Sequence, residues 1–181
     1  MQITLMSLSI FFAATTVDID DVSFETQLKT SGTQLELAGG SGFTYALIFD
    51  VLSGATYLPQ GTPASDFSKA STKALVLVYK RDFSAAEFRE VTENLFRKNN
   101  AKETVQRYQT ELKAFNALYQ DLKAGDRYQL TLLANDGIEL KVNDRVAGTI
   151  ENPSFGQALF NIWFGPAPFN KSFRDNLLKA I

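Results

Sequence analysis

The sequence contains no histidine and no cysteine. Without histidine there is no Ser-His-Asp or Cys-His chemistry, and the commonest metal ligand is missing. Without cysteine there is no thiolate nucleophile, no disulfide and no thiolate zinc site. Any catalysis falls to carboxylates, tyrosine, lysine, arginine, serine, threonine or the backbone. The absence of thiols also suits an oxidising compartment, where no stray sulfur can mispair. Neither sign of charge is in large excess: 18 Lys and Arg face 20 Asp and Glu, for a net charge of −2. The basic residues are scattered, with no block beside an aromatic stacking platform, so the footprint of a nucleic-acid binder is lacking. Long apolar runs are lacking too. The run from Ile3 to Ala14 is too short to span a bilayer.

What is present suits one globular domain. A chain of 181 residues, 45% hydrophobic and 21% charged, can bury roughly 70% of the surface its unfolded form exposes. The Ile3–Ala14 run has the length of a signal-peptide apolar region, and Ala13 to Thr16 supply small residues for cleavage. No basic residue precedes the run, and a buried first strand is the competing reading. The expectation is a signal peptide over residues 1–16 and a single domain over 17–181, periplasmic or secreted.

The stretch from Gly39 to Pro59 organises the rest. Glycines open it, and the residues from Phe43 to Leu52 are apolar on both alternating faces. That pattern predicts one central strand covered on both sides, with Pro59 ending its pairing. Before it, Val22, Phe24, Leu28, Leu35 and Leu37 alternate with polar residues around Ser31-Gly32-Thr33, as in a hairpin. Ala74 to Tyr79 reads as a second central strand. Ser84 and Glu87 form a capping box ahead of a helix that Asn99-Asn100 breaks. A longer helix is expected from about Lys102, carrying Val105, Tyr108, Leu112, Phe115, Leu118, Tyr119 and Leu122, and ending at Gly125. Three alternating strands follow, turned at Asp136-Gly137 and Asn143-Asp144. Two helices close the chain, one starting at Pro153-Ser154 and one capped by Asn170. The class is α+β, a large and mainly antiparallel sheet with helices on one face.

Four stretches in this order carry a likeness. They are Gly40-Ser41-Gly42-Phe43 leading to Ala55-Thr56-Tyr57-Leu58-Pro59; Lys73-Ala74-Leu75 to Arg81-Asp82-Phe83-Ser84; Gly125-Asp126 to Thr149-Ile150; and Ala158 to Pro166 with its Trp163 and Gly-Pro ending. Together they cover nearly all of the chain beyond Val22. The chain resembles the bacterial branch of the chalcone isomerase-like family. The resemblance implies an open-faced β-sandwich, and many bacterial members carry a signal peptide. It also implies a cleft between sheet and helices, used for chalcone cyclisation in plant enzymes and for fatty acids in related binders. In both, an arginine after the Gly-x-Gly turn supplies a permanent charge with a fixed fork of donors. Here that position is Thr44, and no Arg or Lys occurs between Lys29 and Lys69. The other polar cleft positions fall on Leu52, Phe88, Leu95 (or Asn94 with a one-residue slip) and Ile162. A cleft without that charge lacks the electrostatic stabilisation that cyclisation needs.

The expectation is therefore a non-catalytic protein that needs no cofactor or metal and binds a fatty acid or another small apolar ligand. Thr44, Tyr45, Leu52, Phe88 and Ile162 are the ligand-binding candidates, with Tyr45 and Tyr57 as hydroxyls near the cleft. An isomerase or lyase using Tyr45 or a carboxylate, and a partner-binding domain with a vestigial cleft, are the alternatives. Asp18, Asp20 and Asp21 read as a solvated start rather than metal ligands, since no turn glycine and bidentate Glu follow at the required offset. Arg81-Asp82 reads as a structural pair and Trp163 as packing.

Overall fold

Alternating strands and capped helices build the described part of the chain. A computed structural model describes residues 15–30, 32–46 and 49–181. Strands β1 (Thr16–Ile19) and β2 (Val22–Glu25) form a separate hairpin. A seven-stranded sheet follows in chain order: β3 (Gln27–Lys29), β4 (Gln34–Tyr45), β5 (Phe49–Leu58), β6 (Lys73–Tyr79), β7 (Arg127–Leu133), β8 (Gly137–Val142) and β9 (Arg145–Ile150). Every neighbouring pair is antiparallel. Between β6 and β7 the chain leaves the sheet to form α1 (Ala85–Asn99), α2 (Lys102–Arg107) and α3 (Gln109–Asn116); α4 (Pro153–Phe164) and α5 (Lys171–Leu177) come last.

The sheet is covered on both faces, unequally. Strand β6 is buried along its whole length, as its continuous apolar run predicts. Its Leu75, Leu77 and Tyr79 join the main core with Phe96, Phe115, Phe155 and Phe160 from the helices. Ala74, Val76 and Val78 face the other way, into a smaller core with Phe24, Leu35, Ala55 and Tyr57. Lys73 begins the strand with no exposed surface. Its ammonium donates to the carbonyls of Phe67 (3.0 Å) and Ser68 (3.2 Å) and lies 5.2 and 5.1 Å over the rings of Phe67 and Phe160.

Three expected elements are each split; the first is the Val22–Leu28 strand of the expected hairpin, which divides at Thr26 into β2 of the small sheet and β3 of the large one. The residues Phe43–Leu52 are not one central strand but the end of β4, a turn and the start of β5. Tyr45 pairs with Phe49, and Ala46 takes a left-handed φ of 52°; Leu47 and Ile48 lie outside the described residues. An apolar alternation without Gly, Asn or Pro gives no sign of the turn it contains. The buried central strand is β5, which is enclosed from Val51 to Leu58. The long helix expected from Lys102 breaks at Tyr108 (φ −103°, ψ 20°) into α2 and α3, and Leu118, Tyr119 and Leu122 lie beyond α3. The apolar spacing persists through the break because Tyr108, Leu112, Phe115 and Leu122 all reach the same core. Gly125 is left-handed at φ 93°, but it follows the Phe83–Leu122 bridge rather than a helix end.

Other local signals hold. The Ser84–Glu87 capping box opens α1, and Asn170 caps α5 by accepting the Phe173 amide. Asn152, one residue before the expected start, caps α4. Gly137 (φ 103°), Asn143 (φ 47°) and Asp144 (φ 66°) provide the left-handed turns of the last three strands.

The glycines of β4 serve close approach. A Cβ at Gly39 would stand 2.2 Å from the Leu177 carbonyl oxygen at the end of α5, and one at Gly40 would stand 2.4 Å from the Ile19 side chain. At Gly42 it would meet the Asp20 carboxylate at 2.2 Å. That carboxylate accepts from Ser53 Oγ at 3.0 Å and Lys80 Nζ at 2.7 Å. The β1–β2 turn is thus latched onto the sheet. Asp20 is a structural ion-pair partner, and the Lys80 ammonium holds its carboxyl below the usual carboxylate range.

Candidate functional site

The capping box fixes where α1 starts, and that start decides which side chains lie over the sheet. Phe88, Thr92 and Leu95 recur at helical spacing and face inward, with Val91 beside them at the edge. Beneath them are Val51 and Leu52 of β5, Leu77 and Tyr79 of β6, and Tyr128 and Leu130 of β7. Ile162 and Trp163 of α4, with Phe169, close the far side. Together they enclose a cavity of about 360 Å³. Arg81, Glu87 and Glu90 are exposed at its rim.

Aromatic rings form one wall. The Phe88 ring stacks on Tyr119 at 5.5 Å and meets Tyr79 and Tyr128 edge-on at 5.1 and 4.9 Å. Two of the three phenols are hydrogen-bonded. The Tyr119 and Thr92 hydroxyls lie 2.8 Å apart, and Tyr128 donates to the Gln120 carbonyl at 2.6 Å while accepting its amide at 3.0 Å. Tyr79 has no hydrogen-bond partner for its hydroxyl among the described residues, although it is only 7% exposed. Burial pushes the Tyr79 phenol well above its ordinary value, and the neighbouring Tyr119 and Tyr128 push the same way. Burial likewise raises Tyr119, and it takes Tyr128 up to about 12. These phenols are neutral donors at physiological pH, far from the tuning that a general base requires.

Three of the five expected ligand residues meet here: Leu52, Phe88 and Ile162 line the cavity, as does Leu95. The other two lie elsewhere. Thr44 donates its hydroxyl to the Asp50 carboxylate at 2.8 Å across the β4–β5 hairpin, and Tyr45 sits at the hairpin tip, 64% exposed. Both are displaced from the cavity because the chain turns where a continuous strand was expected. Tyr57 faces the smaller core and donates to the Glu25 carbonyl at 2.9 Å. Asn94 is exposed on α1. Trp163, read as packing, is a wall of the cavity. Arg81 and Asp82 are not a pair: Asp82 accepts from Lys123 Nζ and the Ala124 amide, while Arg81 lies 4.6 Å over the Phe83 ring. The residues that sequence reasoning missed are Tyr79, Thr92, Tyr119 and Tyr128. Tyr79 had a usable signal, since it shares a strand face with Leu75 and Leu77.

The buried ionisable groups predict an alkaline profile. Lys73 is brought by burial from 10.5 down to about 8. Between those values the unfolded chain holds the proton and the folded chain does not, so stability rises with pH. The buried phenols act in reverse. An unfolded tyrosine ionises near 10 while the folded ones stay neutral, so their contribution is complete below pH 10 and is lost as pH climbs through their folded values. Urea midpoints are expected to rise from pH 8 toward about 10 and to fall above it. Lys73→Met should abolish the rise and keep the fall. A wild-type midpoint that is flat from pH 8 to 10 would contradict this.

A chalcone isomerase-like family profile matches residues 16–179. No curated protein matches the chain by sequence. Among solved structures, the crystal structure of an Arabidopsis thaliana fatty-acid binding protein is similar, with a TM-score of 0.66 and 15% identity over 91% of this chain and 96% of that one. At that identity the likeness speaks for the fold, a curled antiparallel sheet with helices packed on one face. The chain is a member of the chalcone isomerase-like family.

Proposed function

We propose that this protein is a non-catalytic binder of a small apolar ligand, a fatty acid or a lipid of similar size, held between the sheet and α1. The observation that carries the reading is the cavity itself. Its volume of about 360 Å³ falls in the range of small-molecule sites, and its walls are mainly aliphatic and aromatic with a few hydroxyls, the usual make-up of such pockets. The fatty-acid binding of the similar plant protein supports the same class of ligand. Leu52, Phe88 and Ile162 form its wall contacts; Thr44 and Tyr45 have no part in it. Cyclisation is disfavoured because, among the described residues, no cation lies inside to stabilise a developing oxyanion and the phenols are too weakly acidic to replace one.

We place the mature chain, from Val17 onward, in the periplasm of a bacterium or outside the cell. The Ile3–Ala14 run, the small residues after it and the lack of cysteine support that placement. Among the described residues, no helix is long and apolar enough to cross a membrane. The test is organic extraction of protein purified natively from its own cell envelope, followed by mass spectrometry. A lipid near one equivalent per chain is the expected result. An empty protein that also fails to take up added fatty acids or their esters would overturn the reading.

A further inference from the structure

Resting on the ligand-binding reading above and narrowing it to the neutral lipids within that class, we infer that the ligand is uncharged and presents a hydrogen-bond acceptor, such as an ester or ketone carbonyl, to the Tyr79 hydroxyl. The cavity separates its polar groups by kind. Hydroxyls are inside and formal charges are at the rim.

Inside, Tyr128 is committed to both backbone groups of Gln120. The Thr92 and Tyr119 hydroxyls share one hydrogen bond, which leaves one of their two protons free to donate. Tyr79 is more than nine-tenths buried and has no partner among the described residues. A hydroxyl that makes no hydrogen bond within the protein can donate to an acceptor that a ligand places in the cavity. Among the described residues, the interior thus offers two neutral donors and no cation.

At the rim, one guanidinium faces two carboxylates. Arg81 lies over the Phe83 ring, and the Glu87 carboxylate is held by the Ser84 amide and hydroxyl at 2.7 and 2.8 Å. Glu90 is the second carboxylate. Arg89 is exposed on α1 and is not part of the cavity wall. Lys80 is engaged by Asp20 on the opposite face of the sheet. An incoming carboxylate would pass two like charges and then lose its water beside groups that cannot neutralise it. The same burial already opposes the phenolate at Tyr79. A carbonyl of a neutral ligand has no such penalty and can accept from Tyr79.

The test uses Nile red as a neutral reporter of the cavity in the chain from Val17 onward, displaced by decane, decanol, methyl decanoate or decanoate at pH 8. Methyl decanoate is expected to compete about tenfold more tightly than decanoate, a difference of the size that one unmatched polar group makes. Tyr79→Phe should bring methyl decanoate down to the level of decane and leave decane itself unchanged, which a merely structural role for Tyr79 would not do. Decanoate competing as well as the ester, or the ester unaffected by Tyr79→Phe, would overturn the inference while leaving apolar binding intact. Failure of Nile red and all four competitors to bind would remove the ligand-binding reading, and the inference with it.

Discussion

Gly42→Ala is expected to destabilise the fold by about 2–4 kcal/mol, a large share of the ~5–15 kcal/mol that holds a domain together. The new methyl would stand 2.2 Å from Asp20 Oδ2 and 2.8 Å from Asp20 Cβ, so the latch must move. Overpacking alone costs about 1–3 kcal/mol, and expelling the carboxylate also breaks its bonds to Ser53 and Lys80. Asp20→Gly isolates the cause. It removes the obstructing atoms and suits the left-handed φ of 50° at that position. In the Asp20→Gly background, Gly42→Ala should cost well under half of what it costs in the wild type, measured by urea midpoints. Equal costs in both backgrounds would show that the clash is not with Asp20. Because the Asp20 carboxyl is held below its unfolded value of 3.8, the latch contributes fully above that pH. The contribution is lost as pH falls through the folded value.

Leu95→Trp is expected to abolish ligand uptake, weakening apolar binding a hundredfold or more while the fold persists. Leu95 lines the cavity from α1 and is only partly buried. The larger indole therefore grows into open space rather than into packed neighbours, and little of the usual overpacking cost applies. Nile red binding and a thermal melt read the two effects separately. Retained binding would mean that the ligand lies elsewhere; a collapse in melting temperature would mean that the cavity is too small to admit the ring.

Residues with one physical reading were legible in the sequence. Ala74–Tyr79 is short and rich in Val and Leu and so reads as a strand buried on both faces, and Ser84 with Glu87 fixes a helix start through two reciprocal bonds. Asp136-Gly137 and Asn143-Asp144 specify turns by their tolerance of positive φ. The turn after Tyr45 was not legible, because Tyr45 and Phe49 suit a buried strand and an exposed hairpin position equally well. That error carried Thr44 and Tyr45 into a site they do not reach. Leu52, Phe88 and Ile162 came from the family resemblance and not from periodicity. Tyr79, Tyr119 and Tyr128 were hidden for a different reason. Periodicity tells which face a side chain occupies but not whether the space before it is filled. A core residue and a cavity residue are therefore written alike.

The glycine strand also has a consequence for timing. Its two faces are closed by the β1–β2 hairpin and by the end of α5, whose Leu177 carbonyl accepts from Thr56 Oγ1 across 121 residues of chain. Until α5 has been synthesised, Gly39 and Thr56 lack the backbone that closes over them, so the packing of β4 and β5 is completed by the last helix of the chain. Such long-range closure makes folding slow and late.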